Sequence, residues 1–304
     1  MFLFIEQALN GLQYSALLFL LSAGLTLIFG IMNVVNLAHG SFYMVGAFSA
    51  ASAVALTGSF FAGALAAVVS AAVYGLIVEW LIISKLYQRD HLDQVLATLG
   101  VVFFTNALVT LVFGRSPPYM DIPPIFAGSV EVIPGLNYPV MRLAFIGAGI
   151  IVALGLWYLI SRTRVGMLVR AGADDSDIVE ALGVNIRRLF LLVFGLGALL
   201  CGFAGVMSAP LLAIEIGMGE GILITTFVVI IVGGVGSVRG ALVGSLLVGL
   251  TDSLGRAYIP IWMSQILPPT ASGSVSASLV SASIYILMAI VLLLKPRGLL
   301  PAQR

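Results

Sequence analysis

Long apolar runs, separated by short polar passages, account for most of the chain. Nine such runs can be distinguished: Ala8–Met32, Phe42–Leu56, Phe60–Ile83, Val95–Phe113, Val140–Ile160, Leu189–Ala209, Ile222–Val235, Ala241–Leu254 and Val275–Leu294. Several approach the ~20 residues that a helix needs to cross a bilayer, while others are shorter or are broken by glycine. The pattern predicts an all-α, polytopic membrane protein with about eight or nine membrane segments, some of them discontinuous or re-entrant.

The longest polar passage, residues 162–188, interrupts this pattern. It holds nine charged residues, out of 14 basic and 13 acidic residues in the whole chain. A charged passage between membrane segments lies in water, and its arginines favour the cytoplasm, where positive charge is retained during insertion. Two further basic groups are predicted to share that side: Lys85 with Arg89, and Lys295, Arg297 and Arg304 in the tail. The C-terminus is therefore expected in the cytoplasm.

Two passages are predicted to be external. Residues 114–139 hold six prolines, and the single Arg115 is offset by two acidic residues. Residues 210–221 carry two glutamates and no basic residue. Nine crossings would place the N-terminus outside, whereas eight would require a re-entrant segment or an N-terminus inside.

Part of the 162–188 passage is predicted to form a short helix. Asp174 or Asp175 can cap its N-terminus, and Gly183 follows where a left-handed C-terminal cap would lie. Glu180 falls on its polar side. Three apolar residues, spaced i, i+3 and i+4, form a stripe: Ile178, Ala181 and Leu182. Because isolated helices under ~12–15 residues are marginal in water, the stripe needs a partner. Either the chain's own membrane ends and lipid headgroups or a separate cytoplasmic protein could provide one.

Two polar interruptions of the apolar pattern are candidates for a substrate pathway. Amide, imidazole and hydroxyl groups interrupt the first hydrophobic region: Asn33, Asn36, His39 and Ser41. Such groups are costly when unpaired in a membrane, so they face protein or a water-filled path. A glycine-rich interruption in the other half of the chain contains Gly234 and Ser237. Glycine-interrupted segments in both halves are typical of transport sites, so these six residues are predicted to line the pathway.

Glu79 and Asp252 are acidic residues inside apolar runs. A charge at the bilayer centre costs ~3 kcal/mol on insertion scales, so each residue is functional or lies near an interface. Glu79 is one turn from a predicted cytoplasmic end and can reach water there. Asp252 can form an i, i+4 ion pair with Arg256. Alternatively, Asp252, Glu79 and His39 form the proton relay of an ion-coupled secondary transporter.

Composition and missing motifs narrow the classes of function. Hydrophobic residues make up 61% of the chain and charged residues 9%, against ~25% charged in soluble domains, which excludes a water-soluble protein. The chain has no GxxxxGK[ST] loop, no catalytic serine or zinc motif and no Cys/His cluster with metal spacing. We therefore expect no nucleotide, metal or other cofactor on this chain. No basic tail predicts nucleic-acid binding, and the single Cys201 is expected to be a packing residue.

Four motifs, in order along the chain, resemble those of one transporter family. The first runs from 24–30 (GLTLIFG) into 33–40 (NVVNLAHG), and the others are ALGVN at 181–185, GGVGSVRG at 233–240 and KPRGL at 295–299. They resemble the membrane permease of bacterial branched-chain amino acid ABC importers, its H-type subunit more than its M-type subunit. The resemblance covers the whole chain and implies one permease domain, residues 1–304.

This resemblance implies a division of labour between subunits. A periplasmic substrate-binding protein would deliver the substrate, and two separate ABC ATPase subunits would bind ATP and magnesium. A second permease, M-type or a second copy, would complete the pathway in the bacterial inner membrane. The 162–188 passage would be the coupling segment, with its helix at 174–183 seated in a cleft of one ATPase. Branched-chain or other hydrophobic amino acids would be the substrates, although relatives also handle urea, amides and other acids.

The energy source separates the main hypotheses. An importer permease depends on ATPase subunits, whereas a secondary carrier would use a proton or sodium gradient through its relay residues. A membrane scaffold without transport is disfavoured, because intramembrane polar clusters are costly when they serve no purpose.

Overall fold

A computed structural model describes residues 2–301, apart from the side chains of Asp177, Pro269 and Thr270. The helices within this range are α1 (Phe2–Met32), α2 (His39–Thr57), α3 (Phe60–Leu81), α4 (His91–Phe113), α5 (Val140–Arg162), α6 (Arg164–Asp174), α7 (Ser176–Ala181), α8 (Ile186–Ser208), α9 (Met218–Gly233), α10 (Val238–Ile266) and α11 (Pro269–Leu294). Two short strands, β1 (Ser129–Ile133) and β2 (Leu136–Pro139), form an antiparallel hairpin between α4 and α5. The predicted all-α polytopic fold is confirmed, and the hairpin is a small addition to it. The predicted tail residue Arg304 lies outside the described residues.

Seven helices are long and apolar enough to cross a membrane by length and composition: α1, α2, α3, α4, α5, α8 and α11. α9 and α10 meet that test only together, and they meet each other at a bend of 117°. Counted as one broken span, this pair brings the number to eight, the lower of the two predicted values. The bend falls at the predicted glycine-rich interruption, where Gly234 and Gly236 have φ values of 110° and 80°. Residues with side chains rarely adopt such values, which explains why glycine is found there.

Helix α1 is the centre of the bundle. It is apolar on every side, and a helix of this kind is buried all round. α10, α8, α5 and α9 pack around it. Of its most apolar stretch 83% is buried, against 17% in α5 and in α11. Those two helices therefore turn most of their surface to lipid or to another protein.

The start of α1 marks one end of the molecule, which we call the hairpin end. Asn10 accepts a hydrogen bond from the hydroxyl of Tyr138 in β2 at 3.0 Å, and another from Arg142 at the start of α5. The hydroxyl of Ser253 in α10 donates to the carbonyl of Gln7 at 2.7 Å. The far part of α10 and the 114–139 loop thus share this end.

The end of α1 marks the opposite end, which we call the α7 end. A Cβ on Gly172 of α6 would lie 3.5 Å from Ile31, and one on Gly30 would lie 3.0 Å from Gly236 at the α9–α10 bend. The tail is also held there, because the amide of Leu299 bonds to α9 just before the bend at 2.9 Å. The 162–188 passage and the tail, both predicted to be cytoplasmic, therefore lie at the same end.

Candidate functional site

The 162–188 passage is more ordered than the sequence predicts. Instead of one helix within a polar loop it contains two, α6 and α7. Thr163 begins α6 by accepting a hydrogen bond from the amide of Gly166 at 3.1 Å. Asp174 is the last residue of α6 and so is not the cap of the next helix. Asp175 takes that role, because its carboxylate accepts from the amide of Ile178 at 3.0 Å.

α7 exposes the predicted apolar stripe and is anchored by a residue that the sequence analysis missed. Val179 is 5% exposed and packs into the chain, whereas Ile178 is 59% and Leu182 is 79% exposed. Gly183 has φ of 90°, and the amide of Val184 bonds to the carbonyl of Val179 at 3.3 Å, which completes a Schellman C-cap. Glu180 and Ala181 are exposed as well. The part of the alternative in which the stripe packs on the chain's own membrane ends is wrong for its two large residues.

The polar break after α1 is an extended segment that runs along α4. The amide of Val35 bonds to Oε1 of Gln94 at 3.0 Å, and the amide of Leu37 bonds to Oγ1 of Thr98 at 3.2 Å. Two extended residues advance about 6.6 Å, and the four residues from Gln94 to Thr98 advance about 6 Å along α4, so alternate amides of the segment meet successive turns of that helix. Gln94 and Thr98 thereby accept the hydrogen bonds of backbone amides that would find no partner in the hydrocarbon of a membrane.

Gln94 also ties this segment to the 86–89 turn. Its Nε2 donates to the carbonyl of Leu86 at 3.2 Å and to that of Arg89 at 3.1 Å. The basic Lys85–Arg89 turn is thus held at the α7 end, with the other segments predicted to be cytoplasmic. Neither Gln94 nor Thr98 was among the predicted functional residues. The available signal was the polar pair Gln94 and Thr98, spaced i, i+4 at the start of an apolar helix, and both are buried.

α2 begins deep inside the bundle. Nε2 of His39 lies 3.1 Å from the carbonyl oxygen of Leu21 and 3.1 Å from Sγ of Cys201. Leu21 precedes the end of α1 by eleven residues, so α2 starts about 16 Å above the α7 end. At this point α2 also crosses the start of α9, where a Cβ on Gly40 would lie only 2.2 Å from the carbonyl oxygen of Gly219.

The predicted pathway residues of this break do not converge on an open cavity. Asn33 is exposed at the end of α1 with φ of 50°, while Asn36, His39 and Ser41 are buried. Oδ1 of Asn36 accepts from the amide of Ala38 at 3.0 Å. Three other buried polar atoms have no hydrogen-bond partner in the described part of the chain: Nδ2 of Asn36, Nδ1 of His39 and Oγ1 of Thr26. Unpaired buried groups of this kind are rare and require an explanation.

The second predicted break is closed by the tail. A Cβ on Gly234 would lie 2.8 Å from Pro301, and the amide of Leu300 bonds to the carbonyl of Gly233 at 2.8 Å. Oγ of Ser237 caps α10 by accepting from the amide of Gly240 at 3.0 Å. Both predicted pathway residues of this break therefore have structural contacts here.

The two intramembrane acids have separate partners. Glu79 is only 2% exposed and accepts a hydrogen bond from Tyr87, so the prediction that it reaches water is wrong. Burial, followed by the bond to Glu79, raises the pKa of Tyr87 well above its ordinary value, which keeps the phenol a donor. Asp252 forms the predicted ion pair with Arg256, at 2.8 Å. Among residues 2–301 no hydrogen bond links either acid to His39.

An open cleft lies elsewhere, between α10 and α11. It has a volume of about 400 Å³. Its walls are formed by Arg256, Pro260, Ser272, Gly273, Ser276, Ala277, Val280 and Ser281. None of these residues was a predicted pathway residue.

Comparison with known proteins identifies the family. The family described as "Branched-chain amino acid transport system / permease component" matches residues 7–294. This chain belongs to that family. The permease is 28% identical to the high-affinity branched-chain amino acid transport system permease protein LivH of Escherichia coli K12, over 84% of this chain and 87% of that protein.

Other relatives are of comparable length. The corresponding protein BraD of Pseudomonas aeruginosa is 27% identical over 83% of this chain and 86% of its own length. The ribose import permease protein RbsC of E. coli K12 is 24% identical over 83% of this chain and 78% of its own. Family membership confirms a permease subunit of the ABC transporter class, which is not an enzyme and leaves ATP hydrolysis to separate subunits. It excludes the ion-coupled secondary transporter. The structure is consistent with this, because the three residues of the predicted proton relay each bind a different partner.

Proposed function

We propose that the permease forms half of the translocation pathway of a binding-protein-dependent importer for branched-chain or other hydrophobic amino acids. The names of its LivH and BraD relatives support this substrate class. It would lie in a bacterial inner membrane, with the hairpin end outside and the C-terminus in the cytoplasm. A second permease, M-type or a second copy, two ABC ATPases and a periplasmic binding protein would complete the complex. ATP and magnesium would be bound by the ATPases.

The observation that carries the coupling role is the exposed stripe of α7. The helix is six residues long, is capped at both ends and is anchored through Val179. Its capped geometry orders Ile178 and Leu182 in water at the α7 end without a partner in this chain. Exposed large apolar side chains on a rigid helix are typical of a protein interface. An ATPase cleft would bury them, with Asp174, Asp175, Glu180 and Gly183 framing the contact.

Leu182→Asp, or Ile178→Asp, tests this role. A charge in the docking cleft would be buried without a partner. We therefore expect the inserted permease to lose at least about 90% of the ATPase that co-purifies with it. This tenfold loss corresponds to ~1.4 kcal/mol of binding free energy. Val132→Asp, at an exposed apolar position on β1, is the matched control at the opposite end. Normal co-purification of the Leu182 and Ile178 variants would rule out docking at α7.

For the polar break we propose a role in gating the pathway. Nδ2 of Asn36 and Nδ1 of His39 lack partners here, which supports a second conformation in which they gain them. Because Asn33, Ser41, Gly234 and Ser237 flank the two breaks, they would move with them.

His39→Leu and Asn36→Leu test this gating role. We expect each to lower ATP-driven uptake in proteoliposomes by at least about tenfold while the complex still assembles. Ser245→Ala is the control, since that buried hydroxyl donates only within its own helix. Normal uptake by both leucine variants would make the break purely structural.

A further inference from the structure

The cleft between α10 and α11 lies near the hairpin end. Ser253, which binds Gln7 at that end, precedes Arg256 by less than one turn. Further along α10, Trp262 is 57% exposed and stacks near Tyr258. Exposed aromatic residues of this kind mark the membrane–water interface. Arg256 precedes Trp262 by six residues, about 9 Å along the helix.

Arg256 shows that this face does not lie against lipid. Its side chain is 67% exposed in the wall of the cleft. A guanidinium exposed to hydrocarbon is costly, so the cleft faces water or another protein. Nε and Nη2 bind the carboxylate of Asp252 at 2.8 and 3.0 Å. Because arginine has five N–H donors, three remain for a second anion.

The opposite wall of the cleft offers hydrogen-bond acceptors beside apolar surface. The hydroxyl of Ser281 donates to the carbonyl of Ala277 at 3.0 Å, and that of Ser276 donates to the carbonyl of Ser272. A hydroxyl that donates its one hydrogen keeps lone pairs with which to accept. Pro260 and Val280 contribute apolar surface to the same cleft. The cleft thus combines hydrogen-bond donors for an anionic group, hydrogen-bond acceptors for a cationic group, and an apolar wall.

We propose that this cleft is an external binding site for a zwitterionic α-amino acid. Its carboxylate binds Arg256, its ammonium donates to the hydroxyl oxygen of Ser276, and its side chain packs on Pro260 and Val280. The volume of about 400 Å³ lies within the range of small-molecule sites. This inference rests on the proposed function and adds the residues that would receive the substrate before translocation.

A matched pair of cysteine variants tests the site directly. Ser281 lines the cleft, whereas Ser278 is exposed on the neighbouring face of α11, and each hydroxyl donates to a carbonyl four residues back. The natural Cys201 is fully buried. In the complete transporter in proteoliposomes, without ATP, Ser281→Cys and Ser278→Cys are labelled with the membrane-impermeant thiol reagent MTSES. L-Leucine at about ten times its half-protecting concentration should slow labelling of Ser281→Cys about tenfold and leave Ser278→Cys unchanged.

Analogues test the charge recognition. Leucinamide, which lacks the carboxylate, and 4-methylpentanoate, which lacks the ammonium group, should protect Ser281→Cys less than leucine does. Arg256→Gln should lower leucine uptake about ten- to hundredfold, the range for losing a charge-assisted bond, and Arg256→Lys should lower it less. If the Gln variant does not assemble, the cysteine labelling decides.

Uptake by the wild-type transporter distinguishes failure of the proposed binding site from failure of the proposed import function. ATP-driven leucine import without protection of Ser281→Cys would overturn the binding site and leave the proposed function intact. No ATP-driven import of amino acids by the wild-type complex would overturn the proposed function and this site with it.

Discussion

The polar break after α1 and the cleft between α10 and α11 both place polar groups among apolar helices, with opposite results. In the break, Asn36 and His39 are fully buried, and side chains of α4 pair with the extended backbone. In the cleft, Arg256 is 67% exposed and Ser281 is exposed as well. The first region is sealed and the second is open.

The difference shows that a polar residue in an apolar run has two distinct physical reasons to be there. It can supply hydrogen bonds to backbone that has left the helix, as Gln94 and Thr98 do for the 33–38 segment. It can also face water or a ligand, as Arg256 does. Only its surroundings distinguish the two, so substitutions of the side chains that pair with the backbone of the break should act on stability and those in the cleft on binding.

Gln94→Leu should have the largest effect on stability. It leaves the amide of Val35 and the carbonyl of Arg89 without this partner, and the carbonyl of Leu86 keeps only its bond from the amide of Arg89. Each group left unpaired away from water costs about 1–3 kcal/mol. We expect a loss of about 3 kcal/mol or more in the free energy of unfolding, measured by thermal denaturation in detergent. Ser278→Leu, on the open side, should change it by less than about 0.5 kcal/mol. Equal effects of the two variants would remove the distinction between the regions.

Gly40→Ala should have the next largest effect. The added Cβ would lie 2.2 Å from the carbonyl oxygen of Gly219, which is backbone and cannot rotate away. Overpacking of this kind costs about 1–3 kcal/mol, and the unfolding temperature should fall accordingly. Gly100→Ala in α4 is the matched control, because nothing lies within 4 Å of its added Cβ. The free energy of unfolding of the Gly100→Ala variant should rise by up to about 1 kcal/mol. A lower unfolding temperature for both variants would contradict the close packing of α2 on α9.

The smallest expected effect concerns Tyr138 at the hairpin end, near which the cleft opens. Burial raises the pKa of its phenol above the ordinary value of 10.0. The folded state therefore holds this proton more tightly, so its contribution to stability is complete below pH 10 and is lost as the pH rises through the raised pKa. Unfolding temperatures at pH 9 and pH 11 should differ less in Tyr138→Phe than in the wild type. An equal decline in both would show that this phenol does not contribute.

Local sequence patterns were sufficient to predict the short helix α7. The carboxylate of Asp175, the stripe of Ile178 and Leu182 and the glycine at 183 act within two turns, so spacing alone predicts them. The inward-facing Val179 and the preceding helix α6 were missed, because nothing in the sequence shows which surface of this chain receives them. The Asp252–Arg256 pair was predicted for the same local reason.

The sequence by itself determined the class of the protein: apolar runs of bilayer length, basic segments that share one end, and glycine at the bend where φ is positive. These features depend on hydropathy, charge and backbone sterics, which act over a few residues. Only the tertiary structure decided that the histidine and asparagine of the break are sealed against α4 and α8, that Glu79 is bound to Tyr87, and that Arg256 faces an open cleft. Burial and partnership depend on residues far apart in the chain, and no local pattern of polar positions distinguishes a hydrogen-bonded interior from a wet surface.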